Sequence, residues 1–538
     1  MAFKKLQKRE KSKSDNRKSD PTDHKSMKSY HLFLLYVVCF VAGMFVMTLE
    51  MLGFRLLAPY FGYSIYVWGS LIGIIMLALS CGYIIGGSVA DRYPQPSILY
   101  GMILMAGLLT AIVSFFYRAI LLFCQNLGLI SGSIAATILL FAGPMILLST
   151  VSPFLIRLLA KENKVGTTAG RIYSLSTVGS IFGTFLASFL LIPSLGSHKT
   201  LIITVIALVL IGVGGLAFSR MKFVLLGLIL VPMVLNYPDP PYEKNTVYAK
   251  ESPYSHVEVV KLGDGICLKP QDNFCHSYYH PERIMTRAYW DYYCLGPLII
   301  EDAKNALILG MGAGTSVRQF LHFWKDLQID AVEIDPVIAQ VATEMFSIPE
   351  QHDKLNVIID DARVFLQTNP RKSYDIIEID IFQGGVFIPF YLTTQEFFSL
   401  CKKRLKPGGL MMMNVNILKS WNEGQAKGAT LYGSIGNTIS EIFPSVFYVK
   451  LKGGNVMFLA FKEHMSLETL SGLIRKASAK SWETRQILSY SLKEVKTYEK
   501  QKNSRVLTDD LSPLDKLTYP IAEARFKSWL SSKQRIRK

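Results

Sequence analysis

No two cysteines in this chain stand at C-x-x-C or another metal-ligand spacing, which excludes zinc-ribbon and finger architectures. Of the seven, three fall within or beside long apolar runs and four (Cys267, Cys275, Cys294, Cys401) lie in the remainder. Free thiols are the expected state, with a Cys267–Cys275 bridge conceivable only if that part of the chain is extracellular. Charge is also missing, and unevenly. Long stretches between His31 and Leu235 carry none, whereas the rest has ordinary soluble composition. That contrast predicts a membrane half joined to a soluble half. The first apolar run lacks a small-residue cleavage site before the next run, so it is expected to be retained.

Residues 1–29 hold ten Lys/Arg against four Asp/Glu and almost no large apolar groups. They cannot bury enough surface to fold and read as a disordered basic tail. Beside a membrane span such a tail is a topology determinant, and no nucleic-acid partner is expected. The spans, near the roughly 20 residues that cross a bilayer, are Leu32–Leu52, Val67–Ala90, Ser97–Tyr117, Ile134–Leu155, Ile172–Ile192 and Leu201–Phe218. A seventh run, Phe223–Leu235, is shorter and carries Pro232. The tail, Arg92, the group Arg157, Lys161, Lys164 and Arg171, and the pair Arg220 and Lys222 alternate with connections holding only Arg55, Arg118 and Lys199. The bias places the N-terminus in the cytosol. If the seventh run does not cross, the soluble half is cytosolic; if it crosses, that half lies outside. A nucleotide-like site favours the cytosol, so an integral protein of the bacterial inner membrane with a cytosolic catalytic domain is expected. Glu50, at membrane depth, is expected to pair locally with Arg55.

After NYPDPPYEKN, the segment ESPYSHVEVVKLGDGICLKP alternates apolar and polar residues around a Gly-Asp-Gly turn and predicts a β-hairpin. It would serve as a lid over the main sheet or as a homodimer contact. Between Asn305 and Asn414 four apolar runs each end on a glycine cluster or an acid: ALILGMGAGTS, IDAVEID, NVIIDDAR and YDIIEID. In an open α/β sheet such strand ends converge on one ligand site. Gly310, Gly312 and Gly314 form a turn into a helix that lets backbone approach a ligand closely. The third glycine of a nicotinamide fingerprint would fall at Thr315 or Val317, which argues against a dehydrogenase. Glu333, nineteen residues after Gly314, stands where an acid accepts ribose hydroxyls. Asp360 and Asp361, with the backbone at Ala362, end the third strand, where one acid caps the following helix and another reads an adenine amino group. Asp380 ends the fourth strand, where a carboxylate can deprotonate an amine nucleophile.

These motifs, with SPYSHVEVV, DIFQGGVFIPFYLTTQEFF, LKPGG and LTDDLSP, resemble the spermidine synthase family. LEMLGFRLLAPYFGYSIYVWGS, GYIIGGSVADR, SPFLIRLLA and AGRIYSLSTVGSIFGT resemble its bacterial branch with a fused multi-span membrane domain. The resemblance implies an α-helical polytopic membrane domain (30–237), a β-hairpin subdomain (238–300) and an α/β class I methyltransferase-like Rossmann fold (301–538). It implies transfer of an aminopropyl group from decarboxylated S-adenosylmethionine to putrescine or a related amine, without metal. By position, Gly310, Gly312, Gly314, Glu333, Asp360, Asp361 and Ala362 would bind the cofactor and Asp380 would be the catalytic acceptor. Tyr391, in the loop closing over the amine, would be a second catalytic residue. Tyr254 and Gln383 would meet the substrate. The chain departs from the family at Gln383, where the synthases carry a second acid, at Ser255, where they carry glutamine, and at His276. An S-adenosylmethionine-dependent N-methyltransferase and a non-catalytic sensor of adenosyl ligands or polyamines, coupled to transport, are the alternatives.

Overall fold

In hydrocarbon a backbone finds hydrogen-bond partners only within itself, so uncharged runs of this length become helices. The computed structural model describes residues 29–161, 164–218, 245–270, 274–417 and 430–536; the basic tail and the seventh apolar run lie outside them. Six helices are long and apolar enough to cross a membrane: α1 (Ser29–Phe61), α2 (Ile65–Arg92), α3 (Pro96–Gln125), α4 (Leu129–Leu159), α5 (Val165–Leu195) and α6 (Ser197–Phe218). They overshoot the expected spans. α1 continues past Glu50, and Arg55 donates outside the bundle to the carbonyl of Pro253. The local Glu50–Arg55 pair expected from the sequence is absent among the described residues. Small residues set the packing, as expected for helices that lack a hydrophobic drive between them. Gly179 and Gly183 of α5 abut the backbone of Phe40 and Met44 of α1, so those two helices run parallel.

The soluble half begins with β1 (Thr246–Glu251), β2 (His256–Leu262), β3 (Gly265–Pro270) and β4 (Ser277–Tyr279), an antiparallel sheet in that order. The expected hairpin is β2–β3, closed by the Leu262–Gly265 pair. Cys267 and Cys275 are bonded to each other across the β3–β4 connection, which corrects the expectation of free thiols there. Cys294 and Cys401 are free and buried.

The main sheet uses β5 (Asn305–Leu309), β6 (Gln328–Glu333), β7 (Leu355–Ile359), β8 (Tyr374–Ile379), β9 (Leu405–Asn416), β10 (Ser445–Leu451), β11 (Asn455–Phe461) and β12 (Val495–Thr497). Its order is β12-β10-β11-β9-β8-β5-β6-β7, parallel from β9 through β7 and antiparallel at the other edge. β5 leads outward to β6 and β7, and the chain then returns to β8 on the other side. The strand order therefore reverses between β5 and β8, which opens a crevice at their carboxyl ends. Both strands are covered on both faces and so read as almost unbroken apolar runs. On β8, Ile377 and Ile379 join one core layer while Ile376 joins the other. Each such fully buried side chain contributes about 1.5–3 kcal/mol. Alternation puts Glu378 and Asp380 on the Ile376 face.

The two halves touch. A Cβ at Gly62, in the α1–α2 turn, would lie 2.4 Å from the ring of Phe387, and one at Gly384 would lie 3.0 Å from Tyr63. The Ile65 amide donates to Asp515 at 2.8 Å.

Candidate active site

The turn after β5 puts Gly310 at φ +85°, and a Cβ there would stand 2.5 Å from the Asp380 carbonyl oxygen. Only glycine allows the two strand ends to meet this closely. Register reinforces the approach: Leu309 pairs with Ile379, and the Asp380 amide donates to Leu309 at 3.0 Å. Gly312 donates its amide to Glu333 Oε2 at 2.8 Å, tying the glycine turn to the end of β6. Gly314, by contrast, does not line the crevice. With φ +80° it precedes the helix α7 (Thr315–Phe323) and faces Ile348, where it turns the chain.

The crevice is a cleft lined by Gly310, Gly312, Glu333, Asp360, Asp361, Ala362, Asp380 and Tyr391, with Tyr289, Trp290, His276, Ser316 and Glu378. Five of its lining groups are carboxyls and none is Lys or Arg among the described residues. Glu333 is 7% exposed, accepts the amides of Gly312 and, at 3.1 Å, of Asp335, and is pushed up by burial to about 7. Asp361 is the helix cap: its Oδ1 accepts the amides of Arg363 and Val364 at 2.8 and 3.1 Å at the head of α8 (Ala362–Thr368). Its Oδ2 accepts the Tyr391 hydroxyl at 2.8 Å. Asp360 accepts the neighbouring Asp361 amide at 2.8 Å and lines the cleft.

Asp380 sits across from these groups. Tyr289 donates to its Oδ2 and Asn414 to its Oδ1, each at 3.1 Å. Burial pushes its carboxyl up to about 6, while the donors Asn414 and Tyr289 and the charge of His276 hold it down against that effect. Such a group is ionised at neutral pH yet basic enough to take a proton.

Tyr391 lines the cleft with its hydroxyl on Asp361, and the tyrosine on Asp380 is Tyr289. Tyr391 is held by its own carbonyl too, which accepts Arg363 Nη1 at 3.0 Å, while Asp509 of LTDDLSP grips the same nitrogen at 2.7 Å. Gln383 is exposed and off the cleft, at the start of a turn made by Gly384 and Gly385, both at positive φ. Tyr254, 45% exposed, stands in the β1–β2 turn, where Ser252 and Ser255 both donate to Asp335 at 2.5 and 2.9 Å. Tyr289, Asn414 and Glu378 were not singled out in the sequence. The dense aromatic run Tyr289–Tyr293 and an acid inside a buried strand were the available signals.

Residues 294–471 match the Spermine/spermidine synthase domain model. That match lies in the C-terminal half of the chain. This chain is 34% identical over 207 residues to a probable polyamine aminopropyl transferase of Bifidobacterium longum, covering 38% of this chain and 43% of that one. It is 25% identical over 307 residues to the polyamine aminopropyltransferase of Vibrio vulnificus, covering 55% and 97%. A 118-residue stretch is 38% identical to an N-terminal histidine N-methyltransferase of Emericella nidulans, covering 21% and 20%. Among solved structures, a probable spermidine synthase from Corynebacterium glutamicum aligns with a TM-score of 0.37 at 21% identity, over 52% of this chain and 99% of that one. The synthase-domain match contains Gly310 through Tyr391 and Asn414, whereas Tyr289 and the four-stranded sheet precede it.

Proposed function

We propose that the chain is a membrane-anchored aminopropyltransferase, moving an aminopropyl group from decarboxylated S-adenosylmethionine to putrescine or a related amine. The observation that carries this reading is the charge of the cleft, with five carboxyls and no Lys or Arg among its described lining residues. A sulfonium donor and an amine acceptor are both cations, and an acidic, walled cleft raises their local concentration. In this reading Gly310 and Gly312 cradle the donor, Glu333 takes the ribose hydroxyls, and Asp360, Asp361 and Ala362 face the adenine.

Asp380 takes a proton from the amine, because an amine attacks only when neutral. The nitrogen then forms its bond to the aminopropyl carbon as the carbon–sulfur bond breaks. The bonding pair passes to sulfur, which leaves as neutral methylthioadenosine. Tyr289 and Asn414 hold the carboxylate so that its open lone pairs face the acceptor.

The test uses the full chain in detergent with decarboxylated S-adenosylmethionine and a panel of amines. Methylthioadenosine release, abolished by Asp380→Asn, is expected. S-adenosylhomocysteine formed from S-adenosylmethionine would identify a methyltransferase, and ligand binding without any product would identify a sensor.

A further inference from the structure

We propose that Glu378 is the receptor for a primary ammonium group at the floor of the cleft. The inference rests on the aminopropyl-transfer reading for the identity of its ligands. Glu378 is 1% exposed, lies in β8 and lines the cleft two residues before Asp380 on the same strand face. Its Oε1 accepts Ser316 Oγ at 2.6 Å, while Oε2 has no hydrogen-bond partner among the described residues. A buried polar atom without a partner is costly, and in a cleft wall a ligand donor removes that cost. The described lining residues offer no Lys or Arg for the purpose. Burial, with the Asp380 charge adding to it, holds the Glu378 carboxyl well above the usual carboxylate range. An arriving cation reverses that balance and ionises the group. A primary ammonium is a compact charge with three donors, suited to one open carboxylate oxygen. It also replaces, from within the strand, the anchoring charge that Gln383 does not supply from the loop.

Two molecules of the reaction carry such a group: the donor, at the end of its aminopropyl arm, and the acceptor amine. Binding of decarboxylated S-adenosylmethionine and of methylthioadenosine, which lacks the arm, is measured on the full chain and on Glu378→Gln, with KM for the amine alongside. If the donor arm is the ligand, the variant loses at least tenfold in affinity for decarboxylated S-adenosylmethionine and none for methylthioadenosine. If the acceptor is the ligand, both affinities hold and the amine KM rises at least tenfold. Unchanged values throughout, or an equal loss for both adenosyl ligands, overturn the proposal. Absence of any transfer by the unsubstituted protein overturns the functional reading instead, and the contrast between the two adenosyl ligands still tests Glu378.

A second inference comes from the helix bundle alone. We infer that the catalytic half lies on the extracytosolic face. Contacts with the soluble half come from the ends of α1, α2 and α5: Arg55 to Pro253, Gly62 to Phe387, Ile65 to Asp515, and Gly196 to Glu251. The opposite face holds the start of α1, the Asp91–Arg157 pair at 3.0 Å, and Phe218 at the end of α6. Phe218 and the contacts of the soluble half therefore lie on opposite faces of the bundle. The basic residues flanking the described spans concentrate on the Phe218 face: ten in residues 1–29, then Arg92, Arg157, Lys161, Lys164 and Arg171, with Arg220 and Lys222 following Phe218. That face is the cytosolic one. The Cys267–Cys275 bond points the same way, since such bonds persist in oxidising compartments. With alkaline phosphatase or a fluorescent protein fused after Lys538 in a bacterial host, an active phosphatase and a dark fluorescent fusion are expected. A bright fluorescent fusion with inactive phosphatase would overturn the inference.

Discussion

Tyr289 and Asp380 are joined by a 3.1 Å hydrogen bond from the phenol to Oδ2, across the gap between the segment preceding the synthase domain and the end of its fourth parallel strand. Burial raises the Asp380 carboxyl to about 6, and the Tyr289 donor is one of the groups opposing that rise. Activity is therefore expected to fall below pH 6 as Asp380 takes up a proton. Tyr289→Phe removes a donor that favours the ionised form, so the acid limb of the kcat profile should move up by about one pH unit. A limb that stays in place would remove Tyr289 from this role.

Tyr391 is expected to behave differently. Its hydroxyl serves Asp361, not Asp380, so Tyr391→Phe should raise the donor KM about fivefold and leave the acid limb where it is. Asp509→Asn, which loosens the grip on Arg363, should reproduce the effect more weakly. Kinetics with each substrate varied in turn separate this from a catalytic role.

Glu333 takes two backbone amides and is pushed up by burial to about 7. Its folded value lies above the unfolded one, so between about pH 4.5 and 7 the folded state binds more protons and stability falls as pH rises. Glu333→Gln should flatten that slope in thermal melts made in detergent, and should weaken donor binding about tenfold by calorimetry.

His256 carries a linkage of the same sign in a higher pH window, set by a pair of carboxylates. Burial alone would depress the imidazolium, but Glu251 and Glu258, each 3.2 Å from a ring nitrogen, hold it at about 9. This stabilisation is fully present below pH 6.5 and is lost as pH rises through 9. His256→Gln should lower the melting temperature at pH 6 and make little difference at pH 9.5, an effect on the order of 1–3 kcal/mol.

Much of the sheet was legible because each parallel strand announces itself twice, by a buried apolar run and by the polar residue that ends it. Glu333, Asp361 and Asp380 were found that way. Tyr289 and Asn414 were not, since they reach Asp380 from a short helix and from a neighbouring strand, and no local pattern records that pairing. Glu378 was hidden for another reason: within YDIIEID a second acid reads as a blemish in an apolar run until the strand alternation puts it beside Asp380. The hydrogen bond from Tyr391 to Asp361 was not legible either, because chain position alone does not say which wall of a cleft a loop side chain meets.

The turn at Gly62 and Tyr63 fills the back of the loop that runs from Gln383 to Tyr391, with Val386, Phe387 and Ile388 all buried there. Cutting the protein between its halves would strip that loop of one wall and leave an oily edge in water. The loop that carries Tyr391 to the cleft thus rests against the turn between the first two helices. A soluble fragment would report the chemistry of a door taken off its frame.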